Sequence, residues 1–415
     1  MSAQFTLTGE LRPRTEYRHG YKTLLDSGQQ AGIFTSQRTR LNFNYISARF
    51  NASLVLQDVR TWGNQAQGNT YDINTYGLHE AWGEYWFTKK FGIRSGRQEL
   101  SYDDERLMGS VSWNQQGRSH DALLFKYSDS TFTMHLGIAY NQNAENSTAI
   151  GYTIAGSYKE LQFLWLNKKW GGLSTSAMII NNGFQSPVAI NSTRYSQTMG
   201  THNEYRKGAF FGLLKFYYQT GVDASKKDIQ AYHAGAEVQY TLQKKIMLGC
   251  GFELMSGQSQ TDTAKAYTDV VHNFSTLYGT GHKFNGFMDL YYAGGAHGNV
   301  GLTNVYLKTR YKSEKYWVGL DIHQFMAAAD VLDLKKLAAE GTYSALDPNL
   351  GLEIDLTLNC SLSSMFSLQA GYSHYLPTAT LALLKGVTDY KGEGYTGQTA
   401  NWAYLMLIFK PAFIK

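Results

Sequence analysis

Polar and apolar residues alternate along most of this chain, and the pattern is plainest in Phe5–Arg18, FTLTGELRPRTEYR. Phe5, Leu7, Gly9, Leu11, Pro13, Thr15 and Tyr17 share one parity, which is apolar or neutral. Thr6, Thr8, Glu10, Arg12, Arg14, Glu16 and Arg18 share the other, which is wholly polar. A period of two predicts a strand, because successive side chains point to opposite faces. In a soluble sandwich the polar face meets water and the apolar face a core. In a transmembrane barrel the apolar face meets lipid and the polar face lines the lumen. One strand does not choose between these; recurrence along the chain does.

The pattern recurs in pairs of runs joined by short turns and separated by long polar loops. The second strand is expected at Ile33–Tyr45, with Arg38, Arg40, Asn42 and Asn44 on one parity. After a tight turn near Ile46 and Ser47, Arg49, Asn51, Ser53 and Gln57 oppose Phe50, Ala52, Leu54 and Leu56. A loop at Gly63–Asn74 precedes strands at Tyr76–Phe87 and Phe91–Leu100; a charged loop, Ser101–Gly117, precedes Arg118–Tyr127 and Thr131–Asn141. The middle of the chain predicts strands at Gln162–Lys168, Leu173–Asn182, Arg194–Arg206, Ala209–Thr220, Ile229–Tyr240 and Lys245–Met255. An irregular stretch, Ser256–Asn299, separates these from Leu302–Tyr311, Tyr316–Phe325, Gly351–Asn359, Phe366–Tyr375 and Asn401–Phe413. The fold class is therefore all-β: an 18-stranded antiparallel transmembrane β-barrel over residues 1–415, with long extracellular loops and short periplasmic turns. An even strand number puts both termini on the periplasmic side of an outer membrane. Eighteen half-apolar strands would need a very large shared core in a soluble fold, whereas a closed barrel in lipid needs none.

Composition agrees. Charged residues are 17% of the chain, below the roughly 25% of soluble domains. Tyr (30) and Gly (41) are plentiful while Pro is only 5, with no linker-like tract. No apolar run approaches the ~18 residues a transmembrane helix needs. An exported barrel requires a leader and the N-terminus has no apolar signal core, so the chain is expected to begin near its mature end, the signal peptide removed. Cys250 and Cys360 stand apart in strand-like runs and read as small apolar residues, not a metal or disulfide pair. The net charge of +5 says less than where the arginines lie.

RTRLNF (Arg38–Phe43), QDVRTWG (Gln57–Gly63), GRQELSYDDERLMG (Gly96–Gly109) with the following WNQQGR, GTGHKFNGFMD (Gly279–Asp289), GYSHYLPT (Gly371–Thr378) and the terminal NWAYLMLIF are more specific. With these segments the chain resembles a Bacteroidota-type member of the alginate export family of outer-membrane porins, from about Thr8 to Phe413. The resemblance implies an 18-stranded monomeric barrel, an electropositive Arg-lined pore for an anionic polysaccharide, and loops that fold into the lumen and gate it. It leaves the substrate open.

The residues themselves offer several candidate sites. Arg12, Arg14 and Arg18 on the first strand, Arg38 and Arg40 on the second and Arg49 on the third form a cationic wall across strands ~4.8 Å apart. Arg60, Arg94, Arg97 and Arg118 extend it if their strands follow in order, and Lys308 and Arg310 form a more distant wall. Guanidinium forks bind carboxylates bidentately, and a ladder of them offers a uronate chain exchangeable partners. The alternative is scaffolding: Glu10, Glu16, Glu80, Glu84, Glu237, Glu253, Asp321, Glu353 and Asp355 share the lumenal faces and can pair with the arginines. Asp103, Asp104, Glu105 and Arg106 are read as a structural loop, with cation binding as the lesser reading. GTGHKFNG lacks a phosphate-loop Lys-Ser/Thr, so it is read as a compact pore loop in which His282 and Lys283 add positive charge. Trp82, Trp86, Trp317 and Trp402 are assigned to a membrane-interface girdle in preference to sugar stacking. Neither a metal-binding His pair nor a Ser/His/Asp grouping with suitable spacing appears, and neither a cofactor nor nucleic acid is expected. The expected function is a passive, anion-selective outer-membrane channel for an acidic polysaccharide or small anions. The alternative is a loop-plugged barrel serving a secretion or uptake complex.

Overall fold

The structure is a computed structural model that describes residues 3–68, 76–145, 147, 151–152, 154, 156–187, 189, 192–291, 298–389 and 391–414. The expected loop at Gly63–Asn74 thus lies partly outside the described residues, as do 292–297 of the long irregular stretch.

Eighteen long strands follow one another around a wall: β1 (Gln4–His19), β2 (Gly32–Ile46), β3 (Phe50–Thr61), β4 (Gly77–Trp86), β5 (Phe91–Gln98), β6 (His120–Ser128), β7 (Phe132–Tyr140), β8 (Glu160–Trp170) and β9 (Leu173–Gln185), then β10 (Thr193–Lys207), β11 (Phe210–Gly221), β12 (Ala231–Leu242), β13 (Ile246–Met255), β14 (Leu302–Lys312), β15 (Tyr316–Met326), β16 (Asn349–Ser361), β17 (Phe366–Pro377) and β18 (Ala400–Phe409). Each pairs antiparallel with its sequence neighbours, and β18 returns to β1, from Leu11↔Phe409 to His19↔Asn401. Closure leaves no unpaired edge. The expected last strand is interrupted at Pro411, which has no N–H to donate. Ala412–Ile414 then resumes pairing beside Leu7 and Thr8, while Pro411 O accepts from Gly9 N at 2.9 Å.

The two parities have opposite environments, in the inverted sense of a membrane barrel. Leu11, Tyr17, Leu54, Leu214, Leu307 and Leu356 are exposed on the outer face. Arg12, Arg14, Glu16 and Arg38 are buried inside, at 6%, 4%, 1% and 4% exposure. At one end of the barrel no turn exceeds four residues, and both termini lie there; the loops at the other end are longer and carry the short helices.

Above the short turns, aromatic pairs straddle successive hairpins: Tyr45 with Phe50, Phe87 with Phe91, Tyr127 with Phe132, Tyr205 with Phe210 and Tyr311 with Tyr316. This is the aromatic girdle of an interface. The tryptophans assigned to it from sequence are elsewhere. Trp82 and Trp86 share the inward parity and donate to Glu80 and Glu84, Trp317 lies under Arg310, and Trp402 is fully buried and donates to Glu16 at 2.9 Å. The indole N–H groups of Trp82, Trp86 and Trp402 each find a carboxylate acceptor and the Trp317 ring a cation over its face, which an outer girdle position would not supply.

Candidate functional site

Two loops from the long-loop end occupy the lumen: residues 99–119, between β5 and β6, and, of the segment between β13 and β14, the described residues 256–291 and 298–301. They pair with each other. Tyr278 N donates to Leu107 O, Gly109 N to Tyr278 O, and Thr280 N to Glu105 O, each at 2.9 Å. Gly279 permits this approach, since a Cβ there would lie 2.1 Å from Arg106 O. Met108, Tyr278, Met288, Leu290, Phe325, Tyr375 and Trp402 join a buried apolar cluster, so the barrel has a core of its own making inside its lumen.

The arginines expected to face the pore hold this insert. Arg12 Nη1 donates to Ser112 O at 2.9 Å, and its Nη2 and Nε reach Asn114 O and Gln115 Oε1. Arg14 Nη1 donates to Trp113 O at 2.6 Å, its Nε to Glu16 at 2.9 Å, and its guanidinium lies 4.1 Å from the Trp113 ring centroid. Arg18 also pairs with Glu16 at 2.9 Å, at the long-loop end. Arg38 donates to Glu10 at 2.7 Å, and Arg40 donates to Gln57 at 2.7 Å with Glu99 3.8 Å away.

Across the lumen the YDDER segment spreads its charges over separate partners. Asp103 accepts from Ser176 at 2.6 Å and Trp165 at 3.0 Å; Asp104 pairs with Lys215 at 2.7 Å. Arg106 reaches Glu253 and His233, and Lys215 also meets Glu253. Glu105 turns away, accepting from Ser101 at 2.7 Å and Ser110 at 3.0 Å. Four charges with four sets of partners do not converge on a cation, and among the described residues no group of three or more His, Cys, Asp or Glu could hold a metal ion. Burial alone would raise the Asp104 carboxyl; the Lys215 ammonium outweighs it and holds the group down at about 2. Burial pushes Asp103 up.

Four expected wall residues lie elsewhere. Arg49 is exposed in the turn between β2 and β3, because that turn extends past Ser47. Arg60 is an odd number of residues from inward Gln57, so it shares the other parity and pairs with Asp58 at 2.7 Å. Arg97 stands three residues from inward Arg94 and pairs with the exposed Asp121 at 2.9 Å. Arg118 precedes β6; from the loop its Nη1 donates to Gly279 O at 3.2 Å.

Among the carboxylates, Glu80 accepts from Glu99 N at 2.9 Å, and Glu84 gathers Arg94, Lys126, Asn51 and Trp86. Glu353 is fully buried and accepts from Met288 N at 2.7 Å, anchoring the second loop. Gly286 packs on that carboxylate, with no room for a Cβ. Asp355 accepts from Ser373 and sits 3.9 Å from His323.

An open cavity of about 400 Å³ lies between the insert and the β14–β15 wall. Trp113, His282 and Phe287 form its aromatic side, with His282 stacked on Trp113 at 4.4 Å and on Phe287 at 5.1 Å. His282 Nδ1 lies 2.9 Å from Asp289, which fixes the imidazole between the two rings. Lys283, Lys308 and Arg310 line the cavity with Glu105 and Asp321. Lys283 is half exposed and 3.8 Å from Glu105, Lys308 is 3.0 Å from Glu237, and Arg310 grips Asp321. Sequence reasoning missed Trp113 and Phe287 as lining residues; their signal was the tryptophan of WNQQGR and the aromatic following GHKFNG.

The fold is similar to several solved barrels: OccAB4 of Acinetobacter baumannii (TM-score 0.62, 12% identity, 99% of this chain and 98% of that one) and, from Pseudomonas aeruginosa, OccK2 (OpdF) (0.64, 9%, 99% and 98%) and OpdO (0.63, 10%, 99% and 98%). No curated protein sequence matches the chain. Residues 3–388 match the family described as alginate export. A closed eighteen-strand barrel with its polar face inward, matched over nearly its whole length, makes this chain a member of the alginate export family of outer-membrane β-barrel porins.

Proposed function

We propose that the chain is a passive, anion-preferring channel that conducts small anions or an acidic polysaccharide along the β14–β15 side of the lumen, with the short-turn end and both termini in the periplasm. The observation that carries this reading is the open cavity: three cations, Lys283, Lys308 and Arg310, each only partly neutralised by a neighbouring carboxylate, line it beside an aromatic side made by Trp113 and Phe287. Carboxylates suit the cations, and sugar faces suit the rings. No step of the proposed activity requires chemistry or a cofactor; partly paired cations favour exchange over trapping. Added polyuronate should block single-channel current in the native protein, and Lys308→Met with Arg310→Met should weaken that block at least tenfold. Block that is equal in the variant, or equal with a neutral polysaccharide, contradicts the reading.

A second reading rests on the insert itself. Two loops held to the wall by Arg12, Arg14, Lys215 and Glu353 suit a plugged barrel that serves a partner complex. Co-purification of a stoichiometric partner together with absence of conductance would favour it.

A further inference from the structure

We propose that Lys245, Lys312 and Lys315 form an entry site for a flexible polycarboxylate chain at the short-turn mouth of the lumen, so that acidic polymer is captured from that side. Register places the three lysines inside. Lys308, Arg310 and Lys312 alternate along β14, and the first two line the open cavity. Lys312 stands opposite inward Trp317. Lys245 continues the β13–β14 ladder beyond Ile246↔Tyr311, with Lys312 N donating to its carbonyl at 2.8 Å. Lys315 continues the β15–β16 ladder beyond Tyr316↔Cys360, its carbonyl accepting from Ser361 N at 2.7 Å, and it shares the parity of Trp317.

All three lysines are exposed, and among the described residues no ammonium of the three has a hydrogen-bond or ion-pair partner, Glu314 in the intervening turn included. The cations above them differ: Lys308 lies beside Glu237, and Arg310 grips Asp321. Lys245 and Lys312 face each other across strands ~4.8 Å apart, and like charges directly opposite destabilise a sheet. A carboxylate held between them relieves that repulsion. Along β14, successive inward cations are two residues apart, ~6.6 Å, which is less than the ~10 Å screening length at ~0.1 M salt. Their potentials overlap, so a carboxylate at Lys312 already feels Arg310.

The two ends of the barrel differ in charge. The connections between successive strands at the short-turn end hold six Lys and Arg to two acids, Asp129 and Glu314, whereas those at the long-loop end hold twelve Lys and Arg to eighteen acids. A polyanion is drawn to the short-turn end in preference to the other. Inward parity selects what is captured there. A phospholipid headgroup meets the outward lysines of this rim, Lys168 opposite Phe132 and Lys207 opposite Phe210, and a folded acidic protein meets outward and inward lysines alike. A flexible chain that enters the lumen meets the inward set alone. The inference rests on the proposed reading that the lumen conducts an acidic solute, and adds where that solute binds first and from which side.

The test is block of single-channel current by polyuronate added to one side of a planar bilayer at a time. Both termini lie at the short-turn end, so an antibody against a C-terminal tag reports which side that end faces. The half-blocking concentration should be at least tenfold lower from the short-turn side than from the long-loop side. Lys245→Gln with Lys312→Gln, and independently Lys312→Gln with Lys315→Gln, should remove that advantage and leave block from the long-loop side unchanged. Lys168→Gln with Lys207→Gln, which removes the same charge from the outer face of the same rim, should change neither. Unheated gel mobility confirms that each variant is a folded barrel, and either inward pair serves if the other does not fold. Equal half-blocking concentrations from the two sides of the native protein, or a full short-turn advantage in the inward variants, would overturn the entry site alone. Loss of the advantage in the Lys168/Lys207 variant would do the same, leaving a rim that suits a headgroup or an acidic protein. A native protein that polyuronate blocks from neither side would contradict the channel reading and the entry site together.

Discussion

Replacing Arg12 with Met keeps the unbranched stem and deletes the guanidinium that ties the first inserted loop to β1. Two of its contacts have good geometry, Nη1 to Ser112 O and Nη2 to Gln115 Oε1, both at 2.9 Å. Bonds to a charged donor contribute about 1.5–3 kcal/mol each. Relief of repulsion from neighbouring Arg14 and Arg38 offsets part of the loss, so the lower end applies, about 3 kcal/mol for the pair. That shifts the equilibrium for release of residues 112–116 by on the order of 150-fold. Arg14 still holds Trp113 O, so release is transient and local. In single-channel recordings Arg12→Met should show flicker to higher conductance about 150-fold more often than the native protein, and Arg12→Met with Arg14→Met should show a sustained larger conductance. A tether and a pore-lining cation differ here: loss of the latter changes ion preference and leaves the current steady. A quiet Arg12→Met trace with altered selectivity would refute the tether.

The remaining predictions concern the same insert. Arg106→Met leaves Glu253 and His233 buried with only Lys215 to compensate, and should lower stability by about 3 kcal/mol, read as a reduced temperature of heat-modified gel mobility. Asp104 is held at about 2, below the ordinary carboxylate value of ~3.9. Its stabilising contribution, roughly 2 kcal/mol, is therefore complete above pH ~4 and is lost as pH falls through about 2. Protease protection of the 99–119 loop should follow that window in the native protein, and Asp104→Asn should remove the dependence. Gly279→Ala places a methyl against Arg106 O and should expose both loops to protease, whereas Gly83→Ala, with its nearest neighbour at 3.6 Å, should not.

The strands were legible because each side of the wall repeats one environment: lipid-facing Leu11 and Leu54 on one parity, Arg12 and Ser53 on the other. That periodicity is local, so it survives without knowledge of the partners. The arginines show its limit. The face of Arg12 could be read from its strand, but its partners lie 100 to 103 residues away on a loop that has no period. Arg60 and Arg97 were misplaced for a simpler reason, since each is three residues from an inward side chain and odd spacing reverses the face. The tryptophans misled because an indole suits both an interface and an inward hydrogen bond, and only the nearby carboxylates Glu16, Glu80 and Glu84 distinguish the two. The girdle of Tyr and Phe pairs was hidden by their separation across each turn. The loop–loop ladder depends on Gly279 and Gly109 approaching backbone from a different part of the chain, which sequence spacing does not encode.

The reversal potential of the native protein in a planar bilayer under a salt gradient tests the central claim most directly. A steady conductance with preference for the anion is the predicted result, set by Lys283, Lys308 and Arg310 at the open cavity. A preference for the cation, or no conductance at all, would contradict it.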